Sequence, residues 1–155
     1  MTDVALAQNT PTFSLNKIYV KDISLEIPHA PSIFWEIGEM KTEIQLHSQA
    51  VHVQESIFEV EVMATVTSKM GEKVMFLIEV KQAGLFQISN VPANELEPIL
   101  AVMCPNILFP YLRTVVSDIS VRGGFTPVLL NPVNFEDIYL QKRRQVSEAA
   151  SATTH

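Results

Sequence analysis

The feature that most constrains this chain is a two-residue alternation of apolar and polar side chains sustained through most of its first half. In FSLNKIYVKDISLEI, from Phe13 to Ile27, the positions Phe13, Leu15, Tyr19, Ile23, Leu25 and Ile27 are mostly apolar. Ser14, Asn16, Asp22, Ser24 and Glu26, between them, are polar. A period of two belongs to a strand with one buried face, because on a helix the same residues would scatter around the axis. Pro28 and Pro31 end the run. A second strand is predicted around Met40 to Ser48, with Met40, Ile44 and Leu46 on one face. The third is SIFEVEVMATVTS, with Phe58, Val60, Val62, Ala64 and Val66 inward and Glu59, Glu61, Thr65 and Thr67 outward. KMGEK then turns into the fourth, VMFLIEVKQAGLFQIS. Short connections between successive strands predict an antiparallel meander.

The polar faces of these strands are not clean. Ile57, Met63, Met75 and Leu77 interrupt them, and Phe76, Ile78 and Val80 form a row ending at Gln82. An antiparallel sheet usually solvates one face, so apolar residues on both predict a second covering surface, an oligomer or ligand interface. The plainer reading is ordinary exposed apolar area.

Helical patterning takes over in the second half. Asn94 with Glu95 and Glu97 opens a short helix. The run MCPNILFPYL, Met103 to Leu112, then sets two prolines and the chain's only cysteine among apolar residues. Pro105 is expected to break the chain, and Pro110 to sit in the first turn of a helix reaching about Arg122, where its missing N–H costs least. Leu112, Val115, Val116 and Ile119 form that helix's apolar stripe, and Gly123 and Gly124 stop it. A last helix starts at an Asn134 cap, with Glu136 and Asp137 near its start and Lys142, Arg143 and Arg144 at its end. Strands first and helices afterwards indicate an α+β fold: a four-stranded antiparallel meander packed against a long helix region, plus a C-terminal helix. One domain is expected over residues 12–146, with a flexible tail over 1–11 and a disordered tail, SEAASATTH, over 147–155.

Composition narrows the function. A chain of 155 residues buries enough surface for one core without disulfide or metal support, and its single cysteine rules out an internal bridge. Eleven basic against 17 acidic residues leave a formal charge of −6, a poor footprint for nucleic acid and a better one for a basic protein partner. With no leader pattern and no apolar run of ~20 residues, a soluble intracellular protein is expected, with no membrane insertion.

Catalytic constellations do not assemble. His47 and His52 can approach across a turn but lack a third metal ligand, while His29 and His155 have no partners in the sequence. Asp22 and Glu26 share a strand face roughly 13–14 Å apart at ~3.4 Å per residue, beyond the ~5–9.5 Å of a glycosidase pair. Neither a glycine-rich phosphate loop nor a G-x-S-x-G elbow is present. Cys104 has apolar surroundings and no basic neighbour, which favours an inert thiol. The chain reads as a non-enzyme.

CPNILFPY, Cys104 to Tyr111, is too particular to arise from composition, and it resembles the signature stretch of the SecB family of bacterial protein-export chaperones. The likeness extends through IYVKDISLEIP (Ile18 to Pro28), VRGGF (Val121 to Phe125) and NPVNFEDIY (Asn131 to Tyr139), spanning roughly Phe13 to Gln145. It implies a cytoplasmic homotetramer, a dimer of dimers. Such a protein holds unfolded precursor proteins without ATP or any cofactor and passes them to the SecA motor. By motif, SecA docking falls on Asp22, Glu26, Leu77 and Glu79. Client binding falls on Ile44, Leu46, Phe76, Ile78, Val80 and Gln82, of which the row Ile78, Val80 and Gln82 is shared with subunit assembly. Met40, Met63, Met70 and Met75 either add adaptable client-binding surface or fill the core. Two other readings stand beside export: a SecB-like chaperone of a toxin–antitoxin system with a restricted client, and a small-molecule binder or an enzyme using Cys104.

Overall fold

In the computed structural model, which describes residues 10–153, four long strands form one antiparallel sheet: β1 (Thr12–Glu26), β2 (Met40–Gln54), β3 (Ile57–Met70) and β4 (Lys73–Ser89). The fold class agrees with the pattern in the sequence, but the strand order is β1-β4-β3-β2 rather than a sequential meander. Only β2, β3 and β4 follow one another through tight turns, helped by positive φ at Glu55 and Gly71. β1 lies against β4, the Greek-key arrangement. The reason is burial. β4 is the most apolar strand and takes a neighbour on each side, while the connection from β1 to β2, pinned by the buried Ile33 in one turn of 3₁₀ helix, passes over the sheet end.

Two bulges in β1 alter the facing that strict alternation predicts. The register slips between Leu15 and Lys17 and again between Val20 and Asp22. Each extra residue inverts the alternation that follows it. Phe13, Leu15, Ile23 and Leu25 therefore share the helix side of the sheet, while Tyr19, between the bulges, turns to the opposite, outer side.

The helix side holds the core. α1 (Ala93–Pro98), a π-helical turn (Ile99–Met103) and α2 (Cys104–Arg122) follow one another without a break. Cys104, Leu108, Leu112, Val116 and Ser120, four residues apart, are all fully buried against Val60, Val62, Val66, Ile78, Val80 and Phe86. Burying each large aliphatic or aromatic side chain contributes about 1.5–3 kcal/mol. The helix packs tightly over Gly84, where an added Cβ would stand 2.9 Å from Leu108 Cδ2.

The prolines do not interrupt this helix as expected. Pro105 is buried in the first turn of α2, and Pro110 lies inside it. The π turn accounts for Pro105: Cys104 N–H bonds to the Ile99 carbonyl five residues back, a wider turn that relieves the clash of the following ring. By length and composition the stretch Ala93–Arg122 would suffice to cross a membrane, which a reading that stops at prolines misses; its buried stripe is spent on the sheet. α2 ends in a Schellman motif, with Gly124 at φ +88°, Gly124 N–H to the Val121 carbonyl and Phe125 N–H to the Ser120 carbonyl. Phe125 then packs against Phe76 with its ring tilted by 39°, 4.4 Å between ring centres.

Asn134 caps α3 (Phe135–Ala152) by accepting from Asp137 N–H at 3.2 Å, as the sequence suggests. The helix runs through residues 147–152, where a disordered tail is expected. Ala149, Ala150 and Ala152 favour helix enough to extend it. Residues 1–9 of the expected N-terminal tail, and 154 and 155 at the other end, lie outside the described residues. Thr10 is tied to the fold by Asn90, whose side-chain amide donates to its carbonyl at 3.0 Å.

Candidate docking and client surfaces

On the outer face, register sets side chains from four strands in rungs. Asp22 of β1 lies opposite Lys81 of β4, Ser24 opposite Glu79, and Glu26 opposite Leu77. Asp22, Glu26, Leu77 and Glu79 thus come together on one face, although the sequence only groups them by strand. The second bulge of β1 does this, since without it Asp22 and Glu26 would point under the helix. The same rungs continue through Met63 to His47, through Thr65 to Gln45, and through Thr67 to Glu43. Asp22, Glu26 and Glu79 are exposed and Leu77 is half-buried.

Further along this face is a hydrogen-bonded network that the sequence does not announce. Tyr19 lies opposite Ala83, whose methyl leaves room for the phenol to reach across β4 and donate to Glu59. Lys21, the bulge residue, places Nζ 2.7 Å from Glu59 and 3.6 Å from Glu61. The Gln49 side-chain amide of β2 donates to Glu61. Burial, followed by the hydrogen bond to Glu59, pushes the Tyr19 phenol up to about 12. Bonds from Lys21, then Tyr19, hold the Glu59 carboxyl below its usual range, and the bond to Glu59 raises the Lys21 ammonium. Glu61 is only 5% exposed on a nominally solvated face, because the long side chains of its neighbours lean over it.

The client-binding candidates divide. Ile44 is exposed and Leu46 half-buried on the helix side of the edge strand β2. Their row continues through Ser48 and Ala50 into a groove of about 380 Å³ shared with Leu96, Leu100 and Ala101 of the helical layer. Phe76, Ile78 and Val80 are instead 1%, 0% and 0% exposed, beneath α2. Gln82 is buried too. Its amide donates to the Tyr19 carbonyl at 3.1 Å, and its Oε1 has no partner among the described residues at the wall of a second groove between β1 and α2. Among the methionines, Met75 is buried, Met63 and Met70 half-buried, and Met40 exposed.

Apolar exposure that the sequence reading passes over sits in the β1–β2 connection, where Trp35 is 74% and Ile37 100% exposed, with Phe34 beside them. Four bulky apolar residues in PSIFWEIG, the stretch that begins at Pro31, are the available signal. Cys104 is buried and its thiol is pushed up to about 12 by that burial, far from the thiolate a nucleophile needs. No group of three or more His, Cys, Asp or Glu side chains is placed to hold a metal among the described residues. What these surfaces offer is exposed apolar area and charge.

Comparison with known proteins agrees. The family model described as preprotein translocase subunit SecB matches residues 6–146. The chain is 51% identical over 151 residues to the protein-export protein SecB of Methylobacillus flagellatus, covering 97% of this chain and 96% of that one. It is 54% identical over 142 residues to the SecB of Chromobacterium violaceum, covering 92% and 95%. In fold it is similar to a SecB-like chaperone of Mycobacterium tuberculosis solved with an antitoxin peptide, at a TM-score of 0.65 and 17% identity over 84% of this chain and 95% of that one. With a family model over nearly its whole length and relatives of this identity, the chain belongs to the SecB family of protein-export chaperones, and it is not an enzyme.

Proposed function

We propose that this protein is an ATP-independent holdase of the bacterial cytoplasm that keeps unfolded precursor proteins competent for export and delivers them to SecA. The observation that carries the reading is the separation of two surfaces on one sheet. Exposed apolar side chains (Ile44, Trp35, Ile37) lie on the helix side and in the connection beside it, while the Asp22, Glu26, Leu77 and Glu79 corner lies on the outer face. A client held by the first leaves the second free for a basic motor. Covering apolar client segments yields roughly 25 cal/mol per Å² before ordering costs, so many weak contacts suffice without nucleotide. In a homotetramer, a dimer of dimers, four such surfaces convert modest contacts into avidity. Phe76, Ile78 and Val80 support the client surface from below, and Gln82 lies where assembly and client binding meet. Export is favoured over an antitoxin-restricted role by identities near 50% to export proteins.

The test is to measure mass in solution and then ask whether the tetramer suppresses aggregation of a denatured precursor without ATP. A stable monomer with no such activity overturns the proposal. Asp22→Asn should weaken SecA binding while leaving aggregation suppression intact.

A further inference from the structure

We propose that Lys21 is a specificity-determining residue of the outer face: by neutralising Glu59 and Glu61 it confines unbalanced negative charge to the Asp22–Glu79–Glu26 corner, so that a basic partner seats there and nowhere else on the sheet.

The inference rests on the docking reading above, but its grounds are separate. Two rungs, Tyr19–Ala83–Glu61–Gln49 and Lys17–Leu85–Glu59–Val51, make up the middle of the outer face. With Lys21 they hold two lysines against two carboxylates, and Lys21 binds both carboxylates directly. The three rungs beside them carry Asp22, Glu26, Glu43 and Glu79 against Lys81 alone. The boundary between a balanced and an unbalanced region falls at the bulge that contains Lys21. The bulge has two consequences from one inserted residue. It turns Asp22 and Glu26 outward, and it frees Lys21 from the pleat so that its stem can reach β3.

Removing the ammonium would leave Glu59 with Tyr19 as its side-chain donor and Glu61 with Gln49. Both are neutral donors, so the carboxylates keep hydrogen bonds but lose their counter-charge. The negative field would then spread from the corner across the sheet. Potentials of this kind act mainly on encounter rate and on rejection of wrong partners. Lys21→Met keeps most of the aliphatic stem and deletes the charge, whereas Lys21→Arg keeps the charge.

The experiment measures binding of the full-length protein to a fluorescent ten-lysine peptide and, separately, to SecA, at two salt concentrations. Lys21→Met should bind the peptide about two- to fivefold more tightly at low salt, the scale of one exposed ion pair. Its SecA affinity should rise less, so that discrimination falls, and Lys21→Arg should behave as the wild type. Unchanged peptide binding by a folded Lys21→Met protein overturns the proposal. Should Lys21→Met lose its circular dichroism, the Lys21→Met/Glu59→Gln protein, which leaves Lys17 against Glu61 and so keeps these rungs balanced, takes its place. Wild-type discrimination is then expected, and its loss overturns the proposal. The peptide measurement is read without SecA, so it judges Lys21 even if Asp22→Asn leaves SecA binding unchanged and the docking reading fails.

Discussion

On the helix side of the sheet, Val60, Val62, Val66, Ile78 and Val80 lose all contact with water beneath α2, whereas on the outer side Glu59 and Glu61 are shielded chiefly by the polar side chains around them. Both of these sets of side chains are covered, but by different physics. The helix side depends on shape: Gly84 admits Leu108 and no larger approach is possible. The outer side depends on donors and acceptors, with one ammonium, one phenol and one amide arranged over two carboxylates. A surface built by complementarity of shape is fixed by its own packing. One built from charge can be rewritten at single positions, which suits the face that must recognise a partner.

The contrast breaks most sharply at the helix crossing. Leu108→Ala removes a fully buried side chain from the centre of the α2 stripe and should cost about 2–5 kcal/mol, read from urea unfolding. A smaller but still clear loss, about 1–3 kcal/mol, is expected for Gly84→Ala, whose new Cβ would meet Leu108 and the Phe86 ring at 2.9 and 3.0 Å. If either substitution proved neutral, the tightness of the helix side would be refuted.

Alkaline titration sharpens the comparison, because each face contains one acid that folding keeps protonated. Cys104 under the helix rises from 9.0 to about 12, and Tyr19 on the outer face from 10.0 to about 12. Both folded values lie above the unfolded ones. Each contribution is therefore fully present below the unfolded value and is lost as pH climbs towards 12. Cys104→Ala should flatten the decline that begins near 9, and Tyr19→Phe only the part above 10, with thermal unfolding as the readout. Glu59 runs the other way. Its folded carboxyl lies below the ordinary range, so its stabilisation is present at neutral pH and lost as pH falls through that range. Tyr19→Phe should diminish this acid-side loss by removing one of the two donors that hold Glu59 down.

The sequence expressed these faces unequally. Alternation marked all four strands, since period two survives any pairing partner, and of the inward row of β3 Val60, Val62, Ala64 and Val66 are buried and Phe58 half-buried. Strand order was not legible: β1 pairs with β4, and nothing local to either strand says so. Nor were the bulges, because Asn16 and Lys21 look like ordinary polar strand residues until the register skips them. The two skips cancel beyond Lys21, so alternation puts Asp22 and Glu26 on the correct face, but only the pairing of β1 with β4 brings them beside Leu77 and Glu79. The continuous helix was hidden by an assumption about proline that one π turn sets aside. The groove was half legible. Ile44 lies where alternation puts it, but periodicity alone cannot tell an open row from the closed Phe76, Ile78 and Val80 row next to it.

The smallest expected stability effect belongs to Asp22→Asn, and that smallness is its value. Asp22 is exposed, faces Lys81 across the register, and makes no ion pair within 4.0 Å among the described residues. Its carboxylate therefore supports nothing in the fold, and the substitution should change unfolding free energy by no more than about 0.5 kcal/mol. Charge at an exposed rim acts instead on encounter, so the loss should appear in the rate of SecA association and in a shallower dependence of that rate on salt. A large loss of stability would show that the outer corner is structural, which would erase the distinction between the two faces. A stable protein with an unchanged association rate would leave the distinction standing and move the docking surface away from Asp22.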